Sequence, residues 1–147
     1  MSGPDAGMRA VARVRAVREQ DSRAGLRQAL HEQRLHEARV ADLRGRLEWS
    51  ASFATGSVGS YLALRTSLEA LGTLLRSAED DVTTSRTISE AAYGRWQQDK
   101  ARLSAVEVIL EHRAAARRAE AARGEARDLD EVATRIWRRR AGGGGHP

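Results

Sequence analysis

The chain has 147 residues, of which 31% are charged and 4% aromatic, and its formal net charge is +5. It contains no cysteine, which excludes disulfides and thiolate-bound metals and fits a reducing compartment. No apolar run reaches the ~18 residues of a membrane span, and the N-terminus lacks the apolar core of a secretory signal. We therefore expect a cytoplasmic protein without membrane insertion.

The composition favours long helices over a globular core. Alanine, arginine, leucine and glutamate are abundant, and these residues are the best helix formers. Proline occurs only at Pro4 and Pro147. Because a proline costs about 3 kcal/mol inside a helix, its absence between these positions permits helices of unusual length. Such a composition is typical of a coiled coil.

The first predicted element is a helix within residues 1–49. An apolar seam follows steps of three and four residues along it, which is the spacing of a coiled coil; the seam is Leu26, Ala29, Gln33, His36, Val40, Leu43 and Leu47. Val11, Val14 and Val17 form a separate apolar patch near its start. Glu19 with Arg23 and Asp42 with Arg46 have the i,i+4 spacing that supports a helix.

A connecting turn is predicted at residues 50–57, where serine, threonine and glycine cluster in SASFATGSVGS. A second helix then spans 58–140 and carries a more regular seam. The seam runs through Tyr61, Leu64, Leu68, Leu71, Leu75, Ala78, Val82, Ser85, Ser89, Ala92, Trp96, Asp99, Leu103, Val106 and Leu110. The glycines of residues 141–147 predict a flexible tail.

Two helices joined by a short connection lie antiparallel. We therefore predict an all-α fold, an antiparallel two-helix coiled-coil hairpin with a long overhanging C-terminal helix. With the turn centred near residue 55, residue 5 lies opposite residue 105. The second helix then has no partner in its own chain from about residue 106 onward.

The predicted overhang nevertheless keeps an apolar face. Its seam resumes at Ala115, Ala119, Ala122, Ala126, Leu129, Ala133 and Ile136, with Val132 beside it. An amphipathic face without an internal partner implies an external one. That partner is either a different protein that receives the helix in a groove or channel, or a second copy of this chain. Alternatively, the overhang folds back on its own chain, or it is a frayed end that lacks support. Trp137, beside Arg138, Arg139 and Arg140, either anchors the partner or shields the helix end.

No catalytic, cofactor or metal site is predicted. His31, His36, His112 and His146 are not spaced as ligands on one helix face, and no glycine-rich loop indicates a nucleotide cradle. The acidic residues lie among arginines, which favours ion pairing over acid–base chemistry. We expect a protein that is not an enzyme and needs no cofactor.

The positive charge is concentrated at the two ends of the chain. Residues 1–49 hold ten arginines against seven acids, and residues 111–147 hold nine against six, whereas residues 50–110 hold six basic residues against seven acids. Non-specific binding to nucleic acid is one interpretation, although the interleaved acids and few aromatics disfavour it. A homodimeric scaffold built as a four-helix bundle is another.

The sequence resembles the FliJ family over roughly residues 8–140. The similarity lies in the two-helix layout, the basic termini, the opening MRAVARVRAVREQDSRAGLRQAL and the run RLSAVEVILEHRAAARRAEAARGEARDLDEVA. The second run ends in a pattern formed by Glu125, Leu129, Asp130, Glu131 and Ala133. The chain departs from the family at its start, where valines replace the usual leucine or aromatic residues.

The resemblance implies a component of flagellar type III protein export at the cytoplasmic face of the flagellar base. Its coiled coil would act as a stalk that inserts into the hexameric ring of the export ATPase and promotes its assembly and activity. It would also link the ring to the export gate membrane protein and to export chaperones. A stalk of another secretion system or rotary ATPase would look similar in sequence.

The resemblance also assigns surfaces by position along the chain. The ATPase-ring-binding residues would be Val11, Val14, Val17, Leu129, Val132, Ala133, Ile136, Trp137, Arg138 and Arg139. The export-gate-binding residues would be Leu68, Leu71 and Leu75, which also fit the coiled-coil seam.

Overall fold

The computed structural model describes residues 3–52 and 56–143, and this part of the chain is almost entirely helical. Helix α1 spans Ala6–Ala51 and helix α2 spans Val58–Gly142. The two helices pack against each other, and no strand occurs in the described residues, so the predicted all-α fold is confirmed. Residues 53–55 of the predicted turn and 144–147 of the predicted tail lie outside the described residues.

Contacts divide the chain into two compact units. One comprises residues 13–103, and the other comprises residues 1–12 together with 104–147. In the unit 13–103 the helices run antiparallel, because residues progressively earlier in α1 pair with residues progressively later in α2. The cross-helix bonds that establish this direction are Arg44 to Glu79, Arg86 to Glu37, Ser89 to Gln33 and Trp96 to Glu19.

The core of this unit is narrow. Val40, Leu43, Ala78 and Val82 are buried together, and Leu71 and Leu75 pack against them. Ala78 is the least exposed of the buried residues, at 2%. A methyl side chain at this buried position leaves room for the two helix backbones to approach closely.

The predicted seam of α2 is covered along most of this unit, whereas its first member, Tyr61, is exposed. Every seam position from Leu64 to Leu103 is buried or half-buried. Its polar members are among the most buried residues, namely Ser85, Ser89 and Asp99. Ser85 donates to the carbonyl of Val82 at 2.9 Å, and Ser89 donates to Gln33 at 2.6 Å. Hydrogen bonding therefore lets Ser85 and Ser89 occupy a seam that the pattern assigns to apolar residues. Asp99 instead forms an ion pair with Arg102 at 3.6 Å.

The pairing register differs from the sequence prediction. A turn centred near residue 55 puts Gln33 opposite residue 77, whereas Gln33 bonds to Ser89, twelve residues further along α2. The prediction assumed that pairing begins at the connection. Instead the first turns of α2 are exposed, with Val58 at 78% and Tyr61 at 60%. The seam repeats every seven residues, so it does not distinguish between pairings displaced along the helices.

Candidate partner-binding helix

Helix α1 begins at a clamp on α2 formed by Asp5, Arg113 and Arg117. Asp5 immediately precedes α1, and its side chain is only 8% exposed. Its Oδ1 accepts a hydrogen bond from Arg113 at 2.9 Å, and its Oδ2 accepts one from Arg117. The two arginines are four residues apart, so both project from one side of α2. The clamp therefore marks the last part of α2 on which α1 packs.

The backbone around Asp5 turns sharply to present this carboxylate. Asp5 has a φ of 69°, in the left-handed region. The Ala6 N–H donates to the Gly3 carbonyl at 3.0 Å, and the Arg9 guanidinium donates to the Pro4 carbonyl at 2.6 Å. The hydrogen bonds from Arg113 and then Arg117 lower the pKa of Asp5 below its usual value. The clamp is therefore a charged contact at neutral pH.

Beyond the clamp, α2 is exposed. Val106, Leu110 and Ala114 are half-buried on the side that faces α1, but from Ala115 to Gly143 every residue except Gly124 is exposed. We call residues 118–142 the uncovered segment. At 1.5 Å per residue it is about 37 Å long. It holds Leu129 at 70% exposure and Trp137 at 69%, together with half-exposed Val132 and Ile136.

The predicted apolar residues of this segment share one face. At 100° per residue they fall within an arc of about 140°; they are Leu129, Val132, Ala133, Ile136 and Trp137. Arg138 lies on the opposite side of the helix and Arg139 lies at its flank. The structure therefore groups five of the seven predicted residues here into one apolar surface and places the two arginines around its end.

This surface is separate from the side of α2 that packs on α1. We call the seven positions Ala115, Ala119, Ala122, Ala126, Leu129, Ala133 and Ile136 the outer stripe. A five-residue step from Leu110 to Ala115 turns it roughly 135° around the helix from the α1-facing residues. Ala115 lies beside the clamp residues in sequence and is exposed. The outer stripe is thus not a face that a longer α1 would cover.

Of the valines predicted to join the ring-binding surface, Val11 belongs to the same unit as the uncovered segment. Val11, which is 44% exposed, follows Asp5 by six residues on α1, away from the uncovered segment. Leu129 lies twelve residues beyond Arg117 on α2, about 18 Å further along the helix. The structure therefore does not bring Val11 together with Leu129. Val14 and Val17 belong to the unit 13–103 and are both exposed.

Two of the three leucines predicted to contact the export gate take part in helix pairing. Leu68, Leu71 and Leu75 are half-buried, and the latter two pack against the core. The sequence prediction missed several exposed apolar residues that lie beside the predicted turn in the sequence, namely Trp49, Val58, Tyr61 and Leu62. The signal that could have found them is the density of large apolar residues beside the predicted turn.

The sequence prediction also missed a buried carboxylate between the helices. Glu19 is 4% exposed and accepts hydrogen bonds from the Trp96 Nε1 at 2.8 Å and from the Arg23 guanidinium at 2.6 Å. Lys100 lies 5.0 Å from the centre of the Trp96 ring. The hydrogen bond from Trp96 and the charge of Arg23 lower the pKa of Glu19, although burial opposes this shift. The hydrogen bond between Glu19 and Trp96 joins α1 to α2 and favours one pairing register.

The basic end of α2 is available to a partner. Glu120 pairs with Arg123 and Arg127, and Glu131 pairs with Arg135. Arg138, Arg139 and Arg140 make no ion pair within the described residues, and Arg139 and Arg140 occupy the last turn. Cations are favourable there because the helix dipole is negative at its C-terminus. An acidic surface would complement this end.

Over the described residues, neither helix contains a stretch apolar enough to cross a membrane. No curated protein and no solved structure matches the chain. The family model described as flagellar FliJ protein matches residues 6–142, which includes both helices almost in full. This family is associated with flagellar export and is not a family of enzymes. Its match over both helices shows that the chain belongs to the FliJ family.

Proposed function

We propose that this protein acts as the stalk of the flagellar export ATPase. In this proposal the uncovered segment inserts into the central opening of the hexameric ring and promotes ring assembly and ATP hydrolysis. The uncovered segment itself supports the proposal most directly. At 1.5 Å per residue this helix is about 37 Å long, and it presents an apolar face and a basic end. Helix α1 does not cover it, because α1 begins at the Asp5 clamp.

A helix of this kind is expected to gain its order from a partner. Isolated helices are marginal in water, and most helical stability in proteins comes from packing of an apolar face. The exposed side chains of Leu129, Ile136 and Trp137 would be covered inside a ring. The alanines of the outer stripe would let ring loops approach the backbone closely, and acidic loops would meet Arg138 to Arg140.

The export gate and the export chaperones are the other proposed partners. The gate contact is assigned to the end of the helix pair around Leu68, Leu71 and Leu75, where exposed Leu74 extends the apolar surface. This arrangement would separate the gate contact from the ring contact along α2. The protein would then lie at the cytoplasmic face of the flagellar base, between ring and gate.

The test measures the ATPase rate of the cognate export ATPase with and without this protein. A truncation after Ala122 removes Leu129 to Trp137 but keeps Arg113 and Arg117, so that the Asp5 clamp remains. Leu129→Asp places a charge in the apolar face. Gly124→Asp is its matched control, because it adds the same charge on the opposite side of the helix, where nothing lies within 4 Å of a new Cβ.

We expect the intact protein and Gly124→Asp to stimulate the ATPase, and the truncation and Leu129→Asp to lose most of the stimulation. Replacing one buried apolar contact by a charge is expected to weaken binding by roughly 2 kcal/mol or more, about thirtyfold. Equal stimulation by all four proteins would show that the uncovered segment is not the ring contact.

A further inference from the structure

We propose that the outer stripe also pairs with the outer stripe of a second copy of this chain, in antiparallel orientation. The inference rests on three features of the uncovered segment: the alternation of small and large residues, the arrangement of charges beside the stripe, and the direction in which the stripe faces relative to α1. It does not depend on the proposed function.

The alternation along the stripe suits an antiparallel pair. Its steps of four and three residues are those of a coiled-coil seam. In the register that sets Ala126 against Leu129 of the second copy, Ala119 lies against Ile136. Each large side chain then faces an alanine of the other helix, in both copies at once. Small residues opposite large ones fill a helix interface without voids and let the backbones approach.

The flanking charges select this orientation. In a parallel pair, Arg118 would lie beside Arg123 of the second copy, and Glu125 would lie beside Asp130, so that all flanking charged pairs would repel. The antiparallel register instead sets Arg123 beside Asp130 of the second copy, twice by symmetry. It also sets Arg118 beside Arg139, likewise twice, so attractive and repulsive flanking pairs are equal in number. The antiparallel orientation is still preferred, because the parallel pair has only repulsive flanking pairs. We therefore expect a weak dimer whose orientation is set by charge.

Helix α1 leaves room for the second copy. The outer stripe is turned roughly 135° from the side of α2 that contacts α1, and its residues are exposed from Ala115 onward. In the proposed register the end of the second α2, at Arg140, lies level with Ala115. It therefore reaches the level of the Asp5 clamp on a different side of the helix.

The dimer would cover Leu129 and Ile136, the same residues that we assign to the ATPase ring. Self-association would then compete with ring insertion and keep the apolar face from solvent until a ring is available. This consequence, unlike the pairing itself, rests on the proposed function.

Because the chain has no cysteine, single cysteines can report the pairing by disulfide formation. We would mix the Ala119→Cys and Ile136→Cys proteins and oxidise them mildly. The register sets these two positions opposite each other, within the ~7 Å between Cα atoms that a disulfide requires. Two copies of Ala119 would lie about 25 Å apart along the helix. Gly124→Cys, on the opposite side of the helix, is the control.

We expect the mixture to cross-link roughly tenfold faster than either variant alone or than Gly124→Cys. Sedimentation of the unsubstituted chain should show a mass that rises with concentration, and Leu129→Asp should abolish that rise while Gly124→Asp preserves it. Monomers at all concentrations, with no mixed cross-link above the control, would overturn the proposal. So would faster self-linking of Ala119→Cys than of the mixture, which indicates a parallel pair. These readouts need no ATPase, so they fail or succeed independently of the proposed function.

Discussion

Asp5 joins the start of α1 to α2 through both of its carboxylate oxygens. Its pKa is lowered by Arg113 and Arg117, so the ionised form is favoured in the folded protein. The clamp therefore contributes stability above the unfolded value of about 3.9, and that contribution is lost as the pH falls through the lowered pKa. Below about pH 4 we expect the first turns of α1 to open before the core of the unit 13–103 does.

Asp5→Asn should reproduce this opening at neutral pH, because the amide keeps the shape but not the charge. We expect faster amide hydrogen exchange at residues 6–12, measured by mass spectrometry, with unchanged exchange around Val40 and Val82. Asp21→Asn is the matched control, since Asp21 is exposed and makes no ion pair in the described residues. Equal exchange in all three proteins would show that the clamp does not hold α1.

Glu19 offers a second test at the residue scale. Trp96 is the largest cause of its lowered pKa, so Trp96→Phe should raise the Glu19 pKa towards its usual value by removing the indole donor. Carboxyl resonances followed by NMR during a pH titration measure this directly. Trp49→Phe is the control, because Trp49 lies near the other end of α1. An unchanged pKa in Trp96→Phe would mean that the charges of Arg23 and Lys100, and not Trp96, lower the Glu19 pKa.

Single-residue contacts were only partly predictable from the sequence. The i,i+4 pairs of Glu19 with Arg23 and of Asp42 with Arg46 were predicted, and both are present, at 2.6 and 3.0 Å. They follow from helix geometry alone. The Asp5 clamp could not be predicted, because Asp5 lies outside the helix in a left-handed conformation and its partners are more than a hundred residues away.

At the scale of the helices, we expect Ala78 to limit how closely α1 and α2 can approach. Ala78→Leu adds a branched side chain at a position that is 2% exposed, so the helices must separate or the side chain must distort. We expect the free energy of unfolding to fall by about 1–3 kcal/mol, measured by urea denaturation. Ala63→Leu, on an exposed turn of α2, should change it little. A stable Ala78→Leu would indicate that the core has unfilled space.

The seams of both helices were predictable, whereas their register was not. A 3.5-residue apolar period identifies which side of each helix is buried. On α2 the predicted side is the buried or half-buried side from Leu64 to Leu103. The register instead depends on specific polar contacts such as Ser89 with Gln33 and Trp96 with Glu19. An apolar pattern contains no information about these pairs, since it repeats with each heptad.

At the scale of the whole molecule, we expect stability to be uneven along α2. Ala78, Val82, Ser85 and Ser89 are buried between the helices, whereas the uncovered segment has only its own helical hydrogen bonds and exposed local ion pairs, which open at little cost. Limited trypsin digestion should therefore cleave first at Arg123, Arg127 and Arg135, and a fragment that ends near Arg118 should accumulate. Mass spectrometry of the fragments is the measurement. Early cleavage at Arg44 or Arg86, where ion pairs join the helices, would contradict it.

Membership in the FliJ family was predicted from the whole chain and is confirmed by the match to residues 6–142. The candidate site was predicted less completely. The apolar residues 129–137 were identified because an amphipathic face persists beyond the reach of the first helix. Their separation from Val11 was not predicted. It depends on which part of α2 lies beside the first residues of α1, and the Asp5 clamp fixes that position.

The five-residue step between Leu110 and Ala115 has a consequence for insertions and deletions. Each residue added or removed there would rotate the outer stripe by about 100° relative to α1, while both seams kept their own sequences. Seven residues would nearly restore the original direction and lengthen the helix by about 10 Å. The spacing thus fixes the angle around α2 between the outer stripe and the side that contacts α1. A partner whose binding depends on this angle would tolerate a seven-residue insertion better than a one-residue insertion.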